Sequence, residues 1–143
     1  MPAGPGPIGF LAFTGVKFAG YTAAAELLNR AYGSSRSSWK VGLARTGIGL
    51  AFGITFGAIS IFVSGLVNID KWPDWAGASL FFGSLVPIRL VEWSLLIHIF
   101  FDRGLVQRVK ALKLSGLGIL WSFALDAVGL AFAWVVPGGF WVC

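Results

Sequence analysis

Apolar residues fall in four long stretches along the chain, at about 8–30, 43–67, 76–101 and 114–136. Short polar turns separate them: residues 33–39 (GSSRSSW), 68–75 (NIDKWPDW) and 102–113, which carries Arg103, Arg108, Lys110 and Lys113. Each stretch reaches the ~20 residues that a helix rising 1.5 Å per residue needs to cross a ~30 Å hydrocarbon layer. The pattern predicts an all-α fold, a polytopic integral membrane four-helix bundle forming one domain over 1–143. A proline–glycine lead-in at 1–7 cannot be helical, and 137–143 lies outside the last helix.

The third stretch is the most informative. Its 26 residues include fourteen Leu, Ile, Val or Phe, yet Arg89 and Glu92 sit near its middle. Each central charge costs roughly 2.5–3.5 kcal/mol and each such apolar residue returns about 0.3–0.6, so the segment inserts only near break-even. Its charges are therefore expected to face protein rather than lipid. The first stretch is the weakest, with eight such residues set against Lys17 and Glu26. Lying at the membrane surface as an amphipathic helix is the competing reading for it. Gly9, Gly15, Gly20 and the run Ala23–Ala25 suit close packing and favour a span.

In the second stretch Gly42, Thr46, Gly49, Gly53, Gly57, Ser60 and Ser64 recur every three or four residues, a small-residue stripe on one helical face. Gly49, Gly53 and Gly57 make two overlapping GxxxG units, expected to admit another helix backbone, within the chain or from a second copy. Composition agrees with the membrane class: 57% of residues are hydrophobic and only 12% charged, half the charge of a soluble domain. The net charge of +5 does not indicate nucleic acid, because the cations gather in two loops. Eight Lys or Arg flank the first and third turns, against Lys71 alone at the second. By the positive-inside rule the two basic turns are cytoplasmic and both termini lie on the non-cytoplasmic side. Trp39 and Trp121 then fall at the inner interface, and Trp72, Trp75, Trp134 and Trp141 at the outer one. The expected location is the cytoplasmic membrane of a bacterium or archaeon. No cleaved signal peptide is expected from the N-terminus, and the one cysteine, Cys143, excludes a disulfide framework within the chain.

Depth follows from distance to each span's midpoint. Arg89 and Asp126 fall within ~2 Å of the midplane, Lys17 ~3 Å to the outer side and Glu92 ~5 Å to the inner side. These four form the candidate site, with Arg89–Asp126 the best-levelled pair and Glu92 able to meet Arg89 or Lys17. Glu26, Arg45, His98 and Asp102 are expected at the cytoplasmic mouth, with His98 hydrogen-bonded to Asp102. A lone histidine makes a poor haem or pigment site, and no cofactor or metal is expected. No P-loop, HExxH, GxSxG or dinucleotide fingerprint occurs. Three functions fit this pattern. The charges fix helix register in an accessory or structural subunit, held in a homo-oligomer or larger membrane complex with lipid as its surroundings. Alternatively, Glu92 and Asp126 serve a proton-coupled small-molecule transporter or channel. Least favoured is a lipid-modifying enzyme using Glu92, Tyr21 and Asp126 as acid–base groups.

Overall fold

A computed structural model of the chain describes residues 7–67 and 73–135. The lead-in before Pro7, the second-turn residues Asp70, Lys71 and Trp72, and the tail with Trp141 and Cys143 lie outside the described residues. Four helices follow in order: α1 (Pro7–Tyr32), α2 (Ser38–Val67), α3 (Asp74–Phe100) and α4 (Arg108–Val135). Among the described residues three segments are long and apolar enough to cross a membrane: Ser38–Ser60, Trp75–Phe100 and Arg108–Gly129. α1, which carries Lys17, Glu26 and Arg30, is not among them.

α2 and α4 begin about one and a half helical turns before the apolar stretches do. An apolar pattern marks only the part of a helix suited to hydrocarbon, whereas hydrogen bonding carries on through polar residues. Ser37 marks the true start of α2: its carbonyl accepts from the N–H groups of Lys40 and Val41 at 3.1 Å each. The earlier start draws Arg45 two turns into the helix and away from the mouth, where the sequence placed it.

Neighbouring helices pack antiparallel in the ring α1–α2–α3–α4, α1 closing on α4. Gly42 lies against Thr22, Phe56 against Phe81, Ser94 against Ser115, and Trp121 donates to the carbonyl of Gly20 at 3.0 Å. Small residues set the spacing where helices meet most closely. A Cβ at Gly42 would lie 2.9 Å from the backbone nitrogen of Thr22, and one at Gly118 would run into the Trp93 ring. The apolar core gathers at the level of these contacts, around Tyr21, Ala25, Leu28, Val41, Trp93 and Leu96.

The basic end is stitched by hydrogen bonds. α1 closes on left-handed Gly33 (φ 60°), with Ser34 N–H donating to Asn29 O at 2.9 Å and Gly33 N–H to Arg30 O at 3.4 Å, a Schellman ending. The Asn29 side chain then holds the turn: its amide donates to Arg36 O and Ser38 Oγ, and its oxygen accepts from Ser34 Oγ and Arg36 N–H. Arg36 Nε donates to Phe100 O at 3.1 Å, joining this turn to the end of α3. Asn29→Ala leaves several of these part-buried groups without a partner, so a loss of about 1–3 kcal/mol is expected in thermal melting. A melting temperature equal to wild type would show that the turn holds without it.

Candidate functional site: a buried charge network

Five charged side chains meet inside the bundle. Asp126 of α4 lies between Lys17 of α1 and Arg89 of α3. Lys17 Nζ is 3.0 Å from Asp126 Oδ1, and Arg89 Nη2 donates to Asp126 Oδ2. The lysine contact is an ion pair out of line for a hydrogen bond, so Oδ1 accepts none. About one turn nearer the basic end, Arg45 Nη2 of α2 donates to Glu92 Oε2 of α3 at 2.6 Å. The two clusters tie α1 to α4, α4 to α3 and α3 to α2.

Each cation also rests on an aromatic face. Arg89 lies 4.1 Å from the Phe123 centroid and Lys17 lies 4.6 Å from that of Phe13. The Arg45 guanidinium is 4.7 Å from Tyr21 and 5.0 Å from Trp93, and these two rings meet edge to face. Such contacts are worth ~2 kcal/mol or more when desolvated. They hold the guanidiniums where little water reaches. Trp93 is anchored in turn by its indole N–H, which donates to Ser122 Oγ at 3.0 Å.

The level pair expected from the sequence, Arg89 with Asp126, is present, and Lys17 joins it. Glu92 pairs with neither Arg89 nor Lys17: it takes Arg45, which the sequence had placed at the mouth. Val41, Arg45 and Ile48 share a helical face, so the buried side of α2 was readable once its start at Ser38 was known. The remaining mouth residues do lie at the basic end. Glu26 accepts from Ser38 Oγ at 2.5 Å. His98 does not bond Asp102; its Nδ1 accepts from Gly104 N–H at 3.0 Å. Asp102 follows the last turn of α3 and so leaves the i+4 position of a continuing helix. Its carboxylate accepts from Val106 and Gln107 N–H, organising the approach to α4. Near it, burial and secondly the Asp102 charge push the Tyr32 phenol above its ordinary value of 10.0. Among the described residues no cluster of three His, Cys, Asp or Glu could hold a metal ion.

No known family model, curated protein or solved structure matches the chain. Its chemistry therefore has to be read from the network itself.

The glycine units of α2 meet different surroundings. Gly49 faces the head of Arg45, where a Cβ would lie 3.2 Å from Nη1, whereas Gly57 has open space around it. Gly53 is half-buried. Outside the network, an apolar groove of 440 Å³ runs between α1 and α4 over Leu27, Leu28, Leu117 and Trp121.

Proposed function

We propose that the protein is a multi-pass membrane protein acting as a structural or accessory subunit of a homo-oligomer or larger membrane complex. In this reading the buried charges fix the register of its helices. The observation that carries it is the pairing of both acids of the network, Glu92 and Asp126, with cations from other helices. A proton-carrying acid must exchange its partner for a proton within a working cycle. Asp126 is instead clamped by two cations, and Glu92 is held by a guanidinium that does not deprotonate. Cation and acid here serve each other. The basic ends of the helices are read as cytoplasmic, both termini as external, and a bacterial or archaeal cytoplasmic membrane as the location.

The experiment is a double-mutant cycle on Arg45 and Glu92. Arg45→Leu and Glu92→Leu each strand a buried charge, and each should cost ~3–5 kcal/mol, while the double change should recover much of that. Proton flux into vesicles is measured beside it. Proton-linked uptake in wild type that disappears in a well-folded Glu92→Gln would make the protein a transporter instead.

Sidedness has its own check. With Cys143 replaced by serine, cysteines introduced at Ser35 and Arg103 should react with an impermeant reagent only from the cytoplasmic face, and one at Asp70 only from outside. Reaction of Ser35→Cys from outside would reverse the orientation.

A further inference from the structure

The seam between α1 and α4 changes character along its length. Beside Leu27 and Leu28 of α1 and Leu117, Leu120 and Ala124 of α4 runs the 440 Å³ groove, lined by apolar side chains. The missing Cβ of Gly118 leaves room for the Trp93 ring, which closes its floor, and Trp121, tied across to the Gly20 carbonyl, stands in its wall. Leu114 and Leu117 also line a second open groove of about 750 Å³, so the two spaces are continuous. Around the second stand Arg108, Lys110 and Lys113, and among the described residues no carboxylate lines it.

This order is written in α4. Lys110, Lys113, Leu117, Leu120 and Ala124 recur every three or four residues, so cations and apolar side chains share one face of the helix. Among the described residues none of the three cations has an ion-pair partner. Arg108 and Lys113 are exposed, and the Lys110 ammonium rests 4.5 Å from the centroid of the Tyr32 ring. From Leu114 to Ala124 the apolar part rises ~15 Å, half of a ~30 Å hydrocarbon layer. An apolar slot one leaflet deep that ends among uncommitted cations has the polarity order of a phospholipid with an anionic headgroup.

We propose that the α1–α4 seam binds an anionic phospholipid. One acyl chain lies along Leu117 and Leu120, and the phosphate-bearing headgroup sits among Arg108, Lys110 and Lys113. A zwitterionic lipid would fill the same groove but bring a further cation to the three already there. The inference rests on the reading of the protein as membrane-embedded and is independent of what the buried charges do.

The test starts from membranes containing the full chain, washed with alkaline carbonate. The protein is then purified in mild detergent, stripped of lipid and titrated with phosphatidylglycerol or phosphatidylcholine of identical acyl chains, bound lipid being counted by native mass spectrometry. Phosphatidylglycerol should bind about tenfold or more tightly, since each cation close to an anionic headgroup contributes roughly fivefold. Lys110→Gln with Lys113→Gln should erase that preference, whereas Lys110→Arg with Lys113→Arg should keep it. Arg108→Gln with Lys113→Gln, at two exposed positions, should reduce it with no change in melting temperature. Leu117→Trp fills the junction of the two grooves and should weaken both lipids several-fold. Equal binding of the two lipids by wild type, or an undiminished preference in the Lys110→Gln, Lys113→Gln protein, would overturn the proposal and leave the membrane reading standing. Glycerol phosphate binding as tightly as the whole lipid would overturn it too, because the cations would then recognise phosphate without the groove. Release of the chain by carbonate would overturn the membrane reading and the proposal with it.

Discussion

Asp126→Leu is expected to be among the most damaging single changes in the chain. It removes the one acid that faces two cations and leaves Lys17 and Arg89 buried together without a partner. Stranding one buried charge costs ~3–5 kcal/mol, and here two like charges are stranded side by side. Set against a total stability on the order of 5–15 kcal/mol, the variant should fail to give a folded, monodisperse protein in detergent. Removing Arg89 as well should restore only part of the loss, because Lys17 remains unpaired. The triple change Lys17→Met, Arg89→Leu, Asp126→Leu should restore more, as it exchanges the whole cluster for apolar side chains of similar size. Thermal melting of the series in one detergent reads this order directly. An Asp126→Leu protein that melts within a degree or two of wild type would mean that the cluster contributes nothing to holding the helices.

Gly42→Leu should be nearly as severe, through packing instead of charge. At Gly42 even a Cβ would come 2.9 and 3.0 Å from the backbone nitrogen and Cα of Thr22. A side chain in the way can rotate, but a helix backbone can only move as a body, so α1 and α2 must separate and the core around Tyr21, Ala25 and Val41 opens with them. A gain of ~1 kcal/mol from replacing glycine inside a helix does not offset this. Gly57→Leu is the companion measurement on the same face of the same helix. Nothing lies within 4 Å of a Cβ there, so the monomer should keep its melting temperature. If α2 meets a second copy of the chain along this stripe, Gly57→Leu should lower the mass measured by light scattering while Gly42→Leu lowers the melting temperature. Unchanged mass would place no partner at Gly57.

The helices were readable from composition because four apolar stretches broken by basic or acidic turns admit few arrangements. Arg89 and Asp126 could be matched from sequence because pairing at equal depth needs only the rise per residue. The partner of Glu92 could not. Depth leaves the rotation of each helix about its axis undetermined, and it is rotation that turns Arg45 inward between Tyr21 and Trp93. With the expected helix starting at 43, Arg45 stood at its first turn and so at the mouth; with the start at Ser38 it stands two turns in, within the core. His98 and Asp102 show the same limit at a helix end: spacing by four places them together only while the helix continues, and the C-cap Phe101, with φ −121°, already departs from it.

The distribution of the buried charges between the two halves of the chain bears on how the protein is made. α1 and α2 contribute Lys17 and Arg45 and no buried acid to the network, whereas α3 and α4 carry both carboxylates. The first helical hairpin therefore emerges from synthesis with two cations that it cannot neutralise, and its close contact at Gly42 does nothing for them. The second emerges with an acid in surplus. Neither half is a finished unit, and each supplies what the other lacks. The network then waits for α4, made after the other three helices, because only with Asp126 in place does Lys17 acquire its counter-charge.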